Sequence, residues 1–196
     1  MPIKAQNTEK KGFDAGVYDA VCYSVLDIGH QENKFGEKHQ IVIGWKFLDY
    51  TYEDGNYVSY HQTYTLSMNE KAKLRELLSA WCPEEMKKPY DFNLEELLGK
   101  PCKLILAPNA NGTINAKSAI PSTKTAEVKT ESFSFDDYDG GELPSFLTED
   151  RNQWKRTRIT ESKEYTQKVE YAMEQEHGAK KSEQTEMIED KVEAPF

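Results

Sequence analysis

Apolar and polar residues alternate cleanly over residues 38–49. His39, Ile41, Ile43, Trp45 and Phe47 fall on one face, and Lys38, Gln40, Val42, Gly44, Lys46 and Leu48 on the other. A period of two predicts a strand, with Gly44 as a candidate bend. Residues 16–28 (GVYDAVCYSVLDI) are rich in β-branched and aromatic types and predict a long first strand. The turn-rich run 29–36 (GHQENKFG) reads as the loop between these two. After a turn at 53–56, residues 57–66 (YVSYHQTYTL) form a third strand. The period then changes. Ser67 and Glu70 fit a capping box, and Leu74, Leu77, Leu78 and Trp81 follow at i, i+3, i+4 and i+7, the stripe of a helix that Pro83 ends. Residues 93–98 predict a second short helix, capped by Asn93 and closed by Gly99. Residues 101–107 and 113–120 complete the set as fourth and fifth strands, with a loop at 108–112 between them.

Three strands, a helical insert and two strands is the order of an OB-fold, a mainly β, five-stranded Greek-key barrel. An SH3-like barrel would lack so long a helix, and a ferredoxin-like fold would need one after the first strand. On this reading residues 1–14 are a flexible arm and 15–121 the OB-fold domain. Residues 122–165 are an extension that packs on the barrel through Phe133, Phe135 and Tyr138, with a short helix bearing Trp154 and Ile159. Residues 166–196 are an acidic flexible tail, poor in apolar residues.

Charge sharpens the picture. The chain of 196 residues carries a net charge of −9, which at first opposes binding to nucleic acid. The first 126 residues are nearly balanced, with 15 basic and 16 acidic side chains. Acids dominate 127–150 and 161–196, on either side of a basic stretch holding Arg151, Lys155, Arg156 and Arg158. A globally acidic chain of this kind can still present a local basic groove. No apolar run is long enough for a membrane span and the N-terminal residues lack the apolar core of a signal peptide, so a cytoplasmic protein without membrane contact is expected. Cys22, Cys82 and Cys102 form no close pair and read as reduced, buried thiols. No cofactor is expected and no enzyme: the chain has no glycine-rich phosphate loop, nucleophile elbow, HExxH or CxxC. The four histidines show no metal-ligand spacing, Asp27 and His30 stand apart across Gly29, and Asp136, Asp137 and Asp139 read as a solvated turn.

Aromatic rings beside cations point to chemistry of another kind. Single strands are held by stacking bases on rings and by a cationic groove along the phosphates. In an OB barrel the second and third strands, with the loops between strands 1–2 and 4–5, form the binding face. Lys34, Phe35, Lys38, Lys46, Tyr57, Tyr60, His61 and Tyr64 fall there, and Lys103 and Lys117 add cations on the last two strands. Trp45 and Phe47 share a face with Ile41 and Ile43 and belong to the core. Tyr60 and Tyr64 share a face with Val58 and Leu66, which also permits an inward placement and leaves Tyr57 and His61 as the exposed pair. The chain ends in acids with a terminal apolar anchor: Glu189, Asp190, Glu193, Pro195 and Phe196. One basic pocket on a partner could read the carboxylate and the ring together. The same acids could occupy the cationic groove until DNA displaces them.

Tyr64-Thr65-Leu66-Ser67, the run from Glu70 to Trp81, Phe92-Asn93-Leu94 and Leu97-Leu98-Gly99-Lys100-Pro101-Cys102 resemble a family of small bacteriophage replication proteins. Gly16 to Val21 with Asp27-Ile28-Gly29 is similar to its first strand, and Ile159 to Tyr165 to its closing segment, so the likeness covers residues 12–165. The family consists of OB-fold single-stranded DNA-binding proteins. The resemblance implies sequence-independent binding of single strands in phage DNA replication or recombination, inside the host cell, without catalysis. It carries over Leu74, Leu77, Trp81, Leu98 and Gly99 as core and cap positions. The final Pro195-Phe196 is similar to tails of bacterial single-stranded DNA-binding proteins, which recruit replication and repair partners. The expected partners are single-stranded DNA, replication or recombination proteins, and a second copy of the chain as a homodimer. The alternatives are a docking adaptor that binds replication proteins and not DNA, and a small nuclease or recombination enzyme.

Overall fold

The structure, a computed structural model, describes residues 13–34, 36–88 and 92–175. The strands are β1 (Gly16–Asn33), β2 (Gly36–Thr51), β3 (Tyr57–Thr65), β4 (Pro101–Pro108), β5 (Ile114–Pro121) and β6 (Glu131–Phe133). Helix α1 (Lys73–Trp81) lies between β3 and β4 in the chain; α2 (Ser145–Thr148) and α3 (Gln153–Thr160) follow β6. Residues 163–175 are helical and are called α4. The protein is mainly β, with a sheet in the order β3-β2-β1-β4-β5 and β6 on β1. Pairing is antiparallel for β1 with β4 and for β4 with β5, and parallel for β1 with β6.

The expected closed five-stranded barrel is not seen: the sheet is six-stranded and open, its path ending at β3 and β5. Side chains link these two ends instead. The Ala116 amide of β5 donates to Tyr60 Oη (3.1 Å) and Gln62 Oε1 (2.6 Å) of β3, and Gln62 Nε2 donates back to Ala116 O (3.3 Å).

Contacts divide the chain into two compact units. The first draws its described residues from Met1–Tyr23, Gly44–Gln62 and Ser67–Thr130; the second from Ser24–Ile43, Thr63–Leu66 and Glu131–Phe196. Strands β1, β2 and β3 therefore contribute residues to both.

In the first unit, period-two patterning buries Cys102, Leu104 and Leu106 of β4 and leaves Lys103 exposed. Helix α1 buries Leu74, Leu77, Leu78 and Trp81, the predicted stripe, and packs against β5. Its start differs from expectation. Ala72 is the N-cap, while the Ser67 hydroxyl accepts from the Asn69 amide in a turn before the helix. Cys82, just before Pro83, is the C-cap. The second predicted helix is a single 3-10 turn, Leu94–Leu97, with Asn93 Oδ1 accepting from the Glu95 amide (3.0 Å) and Gly99 at φ +77° beyond it. Phe13, assigned to the loose arm, packs edge-on against Phe47 (5.1 Å) and Tyr60 (5.3 Å). All three cysteines are buried and outside any disulfide, and burial pushes the Cys82 and Cys102 thiols up.

The unit also carries a testable ion pair between Lys100 and Glu85. The bond to Lys100 holds the Glu85 carboxyl below its ordinary 4.5. Burial, the largest single influence, lowers Lys100, but the bond to Glu85, the charge of Glu85 and the neighbouring Cys82 together outweigh it and leave the amine above its ordinary 10.5. Glu85 thus adds stability that is present above 4.5 and lost as pH falls through its lowered value. Lys100 adds stability that is present below 10.5 and lost as pH rises through its raised value. Glu85→Gln should therefore lower the urea midpoint near neutrality and converge on the parent in acid; an equal gap at both ends would sink this assignment.

In the second unit, Leu26, Ile28 and Val42 pack with Phe133, Phe135, Tyr138, Leu147 and Ile159 in one buried cluster. The expected loop at 29–36 is a correction: β1 runs on to Asn33 and β2 begins at Gly36. Residues 29–33 are absorbed into β1, with Gly29 at φ +67°, and Lys34 remains a turn. Within the expected extension at 122–165, Glu131 opens β6.

Candidate nucleic-acid interface

Alternation along β2 and β3 decides which candidate side chains can meet a ligand. Trp45 and Phe47 point into the core, 0% and 1% exposed, so Lys46 between them takes the opposite face. On β3, Tyr60 and Tyr64 are buried, 8% and 4% exposed. Both were expected on the binding face, and this is a correction. Tyr60 lies stacked 6.2 Å from Phe47 at 19°, and its hydroxyl donates to Gln62 and accepts from Ala116. A ring packed in this way offers no free face to a base. Tyr57 and His61 occupy the opposite parity and are half-buried.

Three predicted residues come together. Lys46 Nζ sits 4.6 Å from the centre of the Tyr23 ring and donates to the Tyr57 carbonyl at 3.3 Å. His61 Nε2 lies 2.5 Å from Tyr23 Oη. Tyr57 thus joins Lys46 through its backbone carbonyl, and Lys46 and His61 meet at Tyr23, a buried ring, 5% exposed, that sequence reasoning did not single out. Its only advance signal was an aromatic residue in the first strand, and register with β2 and β3 supplied the rest. The cation–ring contact holds the ammonium in one place before any ligand arrives.

A second aromatic group lies at the C-terminal end of β2. Tyr18 stacks on Phe47 (4.6 Å, 23°) and tilts against Tyr50 (5.7 Å). Burial raises the Tyr18 phenol above its ordinary 10.0, and Tyr50 and Asp14 raise it further, so the ring is neutral at physiological pH. Tyr50 and Tyr52 are 53% and 52% exposed. Tyr50 is on β2 and Tyr52 just beyond it, and both are freer than the tyrosines that follow them and that the expected site favoured.

The remaining cations are dispersed. Lys103 and Lys117 are exposed on β4 and β5. Lys103 lies 3.6 Å from Asp19, and Lys124 bonds both Asp19 (3.2 Å) and Asp49 (2.6 Å), so carboxylates offset part of this charge. Lys34 and Lys38 belong to the second unit, where both are exposed at and after the turn between β1 and β2. Phe35 lies outside the described residues, as do Glu189, Asp190, Glu193, Pro195 and Phe196.

Among the described residues, one group could hold a metal: His30, His39 and Glu164 of the second unit. Sequence spacing had given the histidines no such role. Among the same residues, no helix is long and apolar enough to cross a membrane. Comparison with protein-family models, with curated proteins and with solved structures finds no match to this chain.

Proposed function

We propose that the protein binds single-stranded DNA without sequence preference through an OB-type sheet. The observation that carries this reading is the cluster in which half-buried Lys46 and His61 meet the buried Tyr23 ring and Lys46 holds the Tyr57 carbonyl, across β1, β2 and β3. The strand order β3-β2-β1-β4-β5 and the side-chain bridges from Gln62 and Tyr60 to Ala116 support a partly open barrel, a form the OB-fold takes. The resemblance of residues 12–165 to phage replication proteins points the same way, and to a role in replication or recombination in the host cytoplasm. The mechanism is passive. Bases stack on the exposed tyrosines, lysines neutralise phosphates, and the strand stays unpaired. The acidic tail recruits replication proteins once DNA has displaced it from the cations.

The adaptor reading has one observation in its favour: Val17, Ile120 and Leu66 are exposed apolar residues, at 62%, 41% and 37%. Titration of the full chain with poly(dT) separates the two. Stacking predicts quenching of tyrosine and tryptophan fluorescence, and the log of affinity should fall against log salt by about 0.7 per phosphate contacted. Tyr57→Ala should cost about 1–3 kcal/mol of binding, and Lys46→Ala should flatten the salt slope by about 0.7. Truncation after Lys181 should tighten binding at low salt. Absence of quenching, with capture of a replication protein instead, would favour the adaptor.

A further inference from the structure

We propose that His30, His39 and Glu164 form a zinc-binding site, with Asp27 as the residue that positions His39. Their candidate ligand atoms all lie within 4.8 Å of one another. Zinc held at about 2.0–2.2 Å by nitrogen and carboxylate oxygen needs its ligands ~3.3 Å apart in a tetrahedron. Small side-chain rotations draw the wider pairs in and open the His30–Glu164 contact to that spacing. The two imidazoles already face each other, with ring centres 4.8 Å apart and planes at 39°.

The surroundings are those of a metal site. Glu164 grips His30 twice, accepting from its backbone amide at 2.9 Å and contacting Nδ1 with the other oxygen. An ion would replace the proton shared by that imidazole and carboxylate. Asp27 Oδ1 accepts from the Gly29 amide (2.8 Å) and from His39 Nε2 (2.7 Å). A carboxylate can only accept here, so Nε2 carries the proton and Nδ1 is left to bind. This carboxylate–imidazole pairing is the arrangement that orients metal-binding histidines. Gly29 makes the assembly possible: a Cβ there would stand 2.5 Å from Glu164 Oε2 and 2.6 Å from Ser162 Cβ.

Access is open. A cleft of about 290 Å³ borders His30, with carboxylates from Glu32, Glu37 and Glu161 against the cations Arg158 and Lys163. The excess of carboxylates favours entry of a cation. Two nitrogens and one oxygen suit zinc, whereas magnesium and calcium prefer all-oxygen sites. Three protein ligands leave one position for water.

The test is competition between the metal-stripped full chain and a chromophoric zinc indicator, with cobalt absorption as a second readout. The parent should take up one zinc ion that excess magnesium does not displace, and cobalt should give the intense visible bands of a tetrahedral site. Asp27→Asn should weaken zinc about 10–100-fold. His39→Gln, Glu164→Gln and His30→Gln should weaken it at least as much. His177→Ala, outside the described residues, should leave affinity unchanged. Circular dichroism checks each variant, and His30, 40% exposed, is the ligand whose replacement least disturbs packing. A parent that leaves the indicator loaded, or a folded His30→Gln, His39→Gln double variant that binds as the parent does, would overturn the proposal. The cluster would then be a network of hydrogen-bonded ion pairs only.

Discussion

Trp81→Ala is expected to cost about 3–5 kcal/mol of stability, read as a lower urea midpoint followed by circular dichroism. The ring is 2% exposed at the last position of α1. It faces Trp45 at 6.2 Å, and its indole nitrogen donates to the Pro101 carbonyl at 3.1 Å. It therefore ties the helix to the start of β4 as well as filling space beside β2. Truncation removes the apolar burial, leaves a cavity that the strands cannot collapse to fill, and strips the carbonyl of its donor. Trp81→Phe separates these contributions. It keeps most of the ring and loses the hydrogen bond, so it should cost about 1 kcal/mol for the bond, with a smaller cavity loss added. If Trp81→Ala falls within about 1 kcal/mol of the parent, α1 is not part of the core and the helix merely lies on the surface.

That helix was legible because its signal is local. Four apolar residues at helical spacing, with a proline just beyond, determine both the face and the end. The same holds for the inward face of β2, where Trp45 and Phe47 alternate with Lys46 and Leu48. The strand ends were less legible. Residues 29–36 contain two glycines, an asparagine and several charged residues, the composition of a loop, yet 29–33 continue β1 and Gly36 already opens β2. Pairing across strands supplies backbone partners that local propensity does not register. Tyr60 and Tyr64 show the same limit from the other side. Their parity permitted burial, but for Tyr60 the choice between core ring and stacking platform depends on what Phe13, Trp45 and Phe47 bring against it. The histidine cluster was the least legible feature. Glu164 lies 134 positions from His30, so only folding within the second unit brings them together.

Gly140→Ala should produce the largest loss in that second unit, about 2–6 kcal/mol from backbone strain and overpacking together. Gly140 has φ +94°, a region L-residues rarely enter. A Cβ there would stand 2.4 Å from the Lys168 carbonyl oxygen and 2.8 Å from Ala172 Cβ, both on α4. The nearest obstacle is backbone, so no rotamer change relieves it, and either the turn or the helix must move. The turn is itself held: Tyr138 Oη donates to the Gly141 carbonyl at 2.6 Å, and the Gly141 amide donates to Asp139 at 2.9 Å. Displacement of α4 is the easier response, and it would separate Tyr165 from Tyr138, stacked at 5.7 Å and 11°. Burial first, and then the hydrogen bond with Tyr165, push the Tyr138 phenol up to about 12. Release of α4 should bring that phenol back toward 10.0, visible as tyrosinate absorbance at lower pH, and should speed amide exchange over 163–175. Gly112→Ala is the control, because Gly112 has φ +78° but open space around it and should show the strain alone. Equal losses at Gly112 and Gly140, with exchange in α4 unchanged, would mean that the close approach of helix to turn contributes nothing.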